Sequence, residues 1–472
     1  MTTTITQPKV YPLFGSDLTL RKEGKRNLQW LSDLVKASPT ATFILHRSLG
    51  RRSVISGNPA NVEHILKTRF SNYVKGSTFF DTLSDFLGRG IFNADGDTWK
   101  FQRKVASHEF NTKSLRNFIE HVVDTELLDR LVPILASAAQ EDKTLDFQDI
   151  LQRFSFDNIC KIAFGFDAEC LTPSEERKEF AIAFDEATQI SSRRFHEPFS
   201  LIWKVKRALN IGSEKRMRMA VKVVHEYANN IVREKKKELK KKASLESMDM
   251  LSRFLSSGHS DEDFVRDMVI SFILAGKDTT SSALTWFFWL LSKNPHVEKE
   301  IVNEIMEKSE APVYDEVKEM VYTNAALCES MRLYPPVAVD SKEAVDDDVL
   351  PDGTVVKKGM MVTYHVYAMG RMESIWGDDW AEFKPERWLE KDESGKWKFV
   401  GRDPFTYPVF QAGPRICLGK EMAFMQMKRL VAAILRRFIV IPAAEDGDPQ
   451  YVGFLTTLME GGFPVKILHR HG

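Results

Sequence analysis

Apolar residues recur at helical spacing along most of this chain, and only a few short stretches alternate as strands do. The longest periodic run carries Val265, Met268, Phe272, Gly276, Thr279, Ala283 and Phe287 on one face, which predicts a long helix. Its most apolar part, Met268 to Leu291, is interrupted by Lys277, Asp278 and the hydroxyl run Thr279 to Ser282, so it is expected to lie inside protein rather than to span a bilayer. A second run, Met422 to Phe438, also reads as helix. Asn58-Pro59 and Asn294-Pro295 each look like an N-cap followed by proline at the first helical position, opening stretches that contain His64 and Glu300. Strand signals fall at Thr42 to His46, Ser53 to Ser56, Val355-Val356 and Met361 to Tyr364, the last two around a turn at Lys358-Gly359. A largely helical fold with minor sheets follows. No Pro/Gly/Ser-rich linker divides it, so one large domain over residues 11–472 is expected after a loose tail of residues 1–10.

Composition narrows the picture. Hydrophobic residues make up 43% of the 472 positions, enough for a large core. Sixty-six basic residues balance 66 acidic ones, so no global field favours nucleic acid, which is not expected as a partner. The basic run Arg233 to Lys242 reads as a solvated helix end and loop. Cys160, Cys170, Cys328 and Cys417 are too scattered for a zinc pattern and too few for a disulfide framework. The stretch Met1 to Gln7 has neither a signal-peptide core nor the length of a membrane span.

The most informative segment is Phe410-Gln-Ala-Gly413-Pro-Arg415-Ile-Cys417-Leu-Gly419, which sets one cysteine in a glycine-flanked loop just before a helix. The helix's positive end and Arg415 favour thiolate over thiol. The two glycines let the chain pass close under a flat ligand and aim amide groups at the sulfur. Phe-x-x-Gly-x-Arg-x-Cys-x-Gly is similar to the haem-binding signature of the cytochrome P-450 family, and all five specified positions are matched. The resemblance implies a mainly α fold with small β-sheets and haem b (iron protoporphyrin IX) buried between a long central helix and the Cys loop. It also implies Cys417 as the metal ligand, a thiolate whose electron donation favours O–O cleavage.

Three further motifs appear in family order. Glu329-Ser-Met-Arg332 and the Arg387 of Phe383-Lys-Pro385-Glu-Arg387-Trp388 resemble the family's buried Glu-Arg-Arg network, expected to hold the Cys loop rather than to do chemistry. Ala275-Gly276-Lys277-Asp278-Thr279-Thr280 resembles the oxygen-side segment of the long helix. There Gly276 would let a flat cofactor approach, and a local opening of the helix ladder would admit water. Thr279 would orient oxygen and Asp278 would relay protons from solvent. A Thr279 hydroxyl bonded back to its own helix is the competing reading. Trp99 and Arg103, one turn apart, would bind one haem propionate and Arg415 the other. Lys342 stands where the family often has arginine, keeping the charge without the bidentate fork.

Across the chain from Val10 onward the resemblance is closest to the plant branch that hydroxylates fatty acids at or near the omega carbon, a branch that also oxidises jasmonoyl-amino-acid conjugates. It implies a monooxygenase using O2 and electrons from NADPH through NADPH-cytochrome P-450 reductase. Phe79, Phe80, Leu274, Ala275, Val337, Val339, Leu455 and Thr456 are expected to wall a slot suited to an alkyl chain. The basic and aromatic stretch Arg193 to Arg207 suits a membrane surface or a packed helix. Full-length relatives are anchored in the endoplasmic reticulum with the catalytic body in the cytosol; this chain is expected to lack that anchor and to be a monomer. A haem-thiolate isomerase or dehydratase of lipid hydroperoxides, or a haem sensor without turnover, are the rival classes. Asp278-Thr279 argues against the first.

Overall fold

The computed structural model describes residues 8–110, 112–172, 175–197, 199–241, 249–256, 261–443 and 448–470. Strands β1 (Thr42–His46) and β2 (Arg52–Ser56) form an antiparallel hairpin, with Thr42 opposite Ser56. β3 (Tyr73–Val74), β4 (Asp340–Ala344) and β5 (Met361–Tyr364) complete a mixed sheet of order β1-β2-β5-β4-β3, in which β2 and β5 run parallel. β1, β2 and β5 lie where alternation placed them, β3 and β4 were not foreseen, and Gly359 takes the left-handed backbone that the turn requires.

Helices supply the rest of the frame. Those that frame the site are, in chain order, α1 (Gly76–Leu87), α2 (Gly96–Ser107), α3 (Phe147–Phe164), α4 (Glu175–His196), α5 (Ser200–Leu209), α6 (Gly212–Lys241), α7 (Glu262–Lys293), α8 (Val321–Leu333) and α9 (Lys420–Arg437). A short hairpin of β6 (Tyr451–Gly453) and β7 (Thr457–Met459) lies near the C-terminal end. Helix starts follow side-chain chemistry: Asn58 accepts from the Ala60 N–H ahead of Pro59, and Asp146 accepts from Gln148 and Asp149 ahead of α3. Asn294 behaves differently. Its amide donates to the Leu290 carbonyl, closing α7 instead of capping the helix that starts at Pro295. The basic run is also less solvated than expected, because Lys235 is buried on Asp249 and Glu238; Lys242 lies outside the described residues.

The 32 residues of α7 would extend about 48 Å at 1.5 Å per residue. Its first part, Phe264 to Leu274, belongs to one apolar core with α1, α3, α4 and α6. Its last part, Ala283 to Leu291, belongs to a second core with α3, α8 and α9. The stretch between, Ala275 to Ser282, belongs to neither core. Among the described residues, no helix is long and apolar enough to cross a membrane.

Candidate active site

Cys417 sits two residues before Gly419, the N-cap of α9, and its own N–H donates to the Phe410 carbonyl at 2.8 Å. The loop can take this path because Gly413 has φ +62° and passes so close to the turn at Leu66 that a Cβ would lie 2.1 Å from the Leu66 carbonyl oxygen. Gln411 also has a positive φ, at +62°. It is held there by its own side-chain amide, which donates to Asp340, with the Tyr364 oxygen 2.6 Å from its side-chain oxygen. The Phe410 ring packs on Phe424 of α9, centroids 5.3 Å apart.

The thiol is surrounded by protein yet keeps accessible surface, so Cys417 lines a recess instead of packing into a core. Burial pushes its pKa above the ordinary thiol value, while the Gly419 N–H, Arg103 and Lys420 pull it down. The expected contribution of Arg415 is not among those causes. Arg415 turns away, donating to the Ala94 carbonyl and to Asp95 at 2.6 Å and lying 4.5 Å from the Trp99 ring centroid.

Trp99, Arg103 and Arg415 converge on the Cys loop: Arg103 donates to the Ile416 carbonyl at 2.7 Å, and both guanidinium groups lie over Trp99. Beside them is a cluster of which the sequence singled out Lys342 alone. Asp340 accepts from Lys75 at 2.9 Å, Lys342 at 2.6 Å and the Tyr364 hydroxyl at 2.8 Å, all buried. Burial raises the Asp340 carboxyl and the two ammonium groups overcome it, holding it well below the carboxylate range. Burial lowers Lys342 to about 7, opposed by Asp340 and assisted by Lys75 and Arg415. Two lysines share one carboxylate next to an arginine whose Nε is buried without a hydrogen bond. Such an excess of buried positive charge, beside an accessible thiol, fits a flat group bearing iron and carboxylates.

The Glu-Arg-Arg residues form a closed network. Glu329, fully buried, accepts from Arg332 at 2.8 and 2.7 Å, Arg387 at 3.0 Å, the Trp388 indole at 2.9 Å and the Lys384 N–H at 3.1 Å. Arg332 spends its remaining donors on the carbonyls of Gly370, Trp380 and Glu382. All partners are satisfied, as a buried charge cluster requires.

On α7, Ala275 and Thr279 share a half-buried face, and the Thr279 hydroxyl donates to the Ala275 carbonyl at 2.6 Å. It bonds back to its own helix, as the competing reading had it, and its oxygen can still accept a hydrogen bond. Two expectations are corrected here. A side chain at Gly276 would meet Ile159 of α3 at 2.5 Å, so its smallness serves helix packing, not the approach of a flat cofactor. The ladder also stays helical from Glu262 to Lys293, without the expected opening. Asp278 is buried, with Lys277 donating to Oδ1 at 2.7 Å; burial raises its carboxyl and Lys277 opposes.

The proposed wall divides. Phe79 and Leu455 pack against the same apolar cluster as Leu418, the neighbour of Cys417. Leu274 is a packed member of that core, not an open wall. Val337 and Val339 flank buried Ala338 and keep open surface. Phe80 is 39% exposed and belongs to none of the apolar clusters. Thr456 lines a small chamber of mixed character beside Asp278 instead of an apolar slot, because the hairpin turn brings it, with Phe454 and Leu458, against hydroxyls, amides and carboxylates of α3, α4 and α7.

The sequence matches the family model described as Cytochrome P450 over residues 6–461. Relatives include Cytochrome P450 94A1 of Vicia sativa, 69% identical over 468 residues, covering 99% of this chain and 91% of the relative. Cytochrome P450 94A2 of Vicia sativa is 63% identical, covering 99% of this chain and 92% of that protein. Cytochrome P450 94B1 of Arabidopsis thaliana is 52% identical, covering 98% and 91%. With a Cys loop, a Glu-Arg-Arg network and a long central helix in one frame, this chain belongs to the cytochrome P450 family and is a haem-dependent monooxygenase.

Proposed function

We propose that this enzyme hydroxylates fatty acids at or near the omega carbon, taking electrons from NADPH through NADPH-cytochrome P-450 reductase. The observation that carries the substrate class is the apolar cluster joining Leu418, beside Cys417, to Phe79 and Leu455. Apolar residues next to the metal ligand suit an alkyl chain brought end-on and leave few polar groups to pull water in with it. The similarity to the plant fatty-acid branch supports the same reading.

Cys417 would ligate the iron, while Trp99, Arg103, Arg415 and Lys342 would meet the carboxylates. When bound, haem supplies dioxygen activation and insertion of one oxygen atom into a C–H bond. Thr279, its proton committed to the Ala275 carbonyl, accepts hydrogen bonds from groups in the recess. Asp278 takes protons from the chamber and passes them toward Thr279. Glu329, Arg332 and Arg387 hold the Cys loop without touching substrate.

The reading extends to the membrane. Leu201, Ile202, Val205 and Leu209 of α5 are exposed beside the basic Lys204, Lys206 and Arg207, a composition suited to the cytosolic face of the endoplasmic reticulum. The test combines the purified protein with reductase, NADPH and a panel of fatty acids and jasmonoyl conjugates. Lipid-dependent NADPH consumption with terminal or near-terminal alcohols as products is expected. Preference for the conjugates would reassign the substrate, and no consumption with any lipid would favour the isomerase or sensor classes.

A further inference from the structure

The chamber beside Asp278 gathers carboxylates, amides and hydroxyls alongside Phe454 and Leu458, although α7 is apolar above and below it. Its walls include Gln152 of α3, Asp185 and Gln189 of α4, Asp278 and Ser281 of α7, and Thr456 of the β6–β7 turn. At its edge stands Lys277, whose buried ammonium donates to Asp278 at 2.7 Å and to Asp185 at 2.9 Å. The two carboxylates come from different helices, α4 and α7, and Asp185 is 44% exposed while Asp278 is buried. The chamber thus has an outer acid at solvent and an inner acid beside Thr279, bridged by one cation.

We infer that Lys277 is a positioning residue that fastens α4 to α7 and aims Asp278 into the chamber, so that protons are delivered only while α4 is seated. The inference rests on the relay role proposed for Asp278. Lys277 occupies Oδ1, which leaves Oδ2 to exchange protons with chamber water. The proton enters from solvent past Asp185, and Asp278 returns to the carboxylate once it has passed it on. The lysine does not pass the proton on itself. Burial pulls its ammonium down, but the two carboxylates more than compensate and keep it charged. Without it, Asp278 would be a buried acid with no counter-charge and α4 would lose a buried tie to the long helix.

The test compares Lys277→Met, Lys277→Arg and Asp185→Asn in the haem-loaded enzyme with reductase, NADPH and a fatty acid, and follows amide exchange over residues 180–190 in the resting protein. For Lys277→Met the reduced carbon-monoxide band should persist, while product per NADPH falls about tenfold and the solvent deuterium effect on turnover rises, as expected when a positioned proton donor is disturbed. Exchange over residues 180–190 should quicken by about tenfold. Lys277→Arg should restore most of the coupling, and Asp185→Asn should quicken exchange with a smaller loss of coupling. Unchanged coupling, isotope effect and exchange in a Lys277→Met protein that keeps its band would overturn the inference and leave the monooxygenase reading intact. Should Lys277→Met not hold haem, unchanged exchange in Asp185→Asn overturns it instead. Exchange needs no substrate, so an error in the fatty-acid assignment does not affect that arm.

Discussion

The hydroxyl of Tyr407 donates to the main-chain carbonyl of Cys328 at 2.9 Å, one residue before Glu329. Through this bond the segment that runs into the Cys loop is tied to the helix that carries the Glu-Arg-Arg network, and the Tyr407 ring also packs on Trp388. The network therefore reaches the segment that leads into the Cys417 loop through named contacts and not by proximity alone. Replacing Tyr407 by Phe removes the bond but keeps the ring. A loss of about 1 kcal/mol is expected, read as a lower thermal midpoint with haem content retained.

Glu329→Gln is predicted to be far more damaging. It leaves Arg332 buried without a negative partner and Arg387 with Asp379 alone, and breaking such a cluster costs about 3–5 kcal/mol. Haem content and soluble yield should both fall sharply. Normal haem content in Glu329→Gln would contradict the assignment.

The loop glycines should separate. Gly413→Ala places a Cβ against the Leu66 carbonyl at a positive φ and should cost roughly 1–3 kcal/mol or more. At Gly419 the nearest atom to an added Cβ is 3.5 Å away, an ordinary contact, so Gly419→Ala should be tolerated. Haem titration of the two variants checks the contrast. Gly276→Ala should lower stability by about 1–3 kcal/mol through overpacking against Ile159, while the absorption spectrum of the loaded enzyme stays the same.

His365 links stability to pH. It is fully buried, its Nδ1 accepts from the Ala368 N–H, and burial lowers it to about 3. An unfolded imidazole titrates near about 6.5, so between those values the unfolded chain binds the proton and the folded one does not. Stability contributed by neutral His365 is thus present above about 6.5 and declines as pH falls toward 3. His365→Asn keeps an acceptor near Nδ1 and should flatten the decline between roughly pH 6 and 4 in denaturation curves.

What the sequence disclosed was local. Helix and strand periods, the caps at Asn58 and Gly359's turn follow from residues a few positions apart, and the Cys loop carries its chemistry within ten residues. What it concealed was long-range. Lys75 and Asp340 lie 265 residues apart and Lys277 and Asp185 lie 92 apart, and no local pattern marks such partners. Gly276 shows how a correct residue can carry a mistaken reason: its missing side chain was legible, but the direction of the gap depended on where α3 packs. Thr456 was misplaced for a similar cause, since a threonine in a turn does not reveal whether its neighbours are apolar or hydroxyl-bearing.

Thr279→Ala should retain haem and its spectrum but divert electrons to peroxide, because the acceptor that orders the recess is gone. Thr279→Ser keeps the hydroxyl and should recover most of the coupling. Peroxide formed per NADPH is the measurement, and an unchanged ratio in Thr279→Ala would remove Thr279 from the mechanism.

The central claim is that Cys417 holds the iron, and the most direct measurement is the reduced carbon-monoxide difference spectrum of Cys417→Ser. The absorption band diagnostic of thiolate ligation should disappear in that variant while it persists in wild type and in Thr279→Ala. Survival of that band in Cys417→Ser would contradict it.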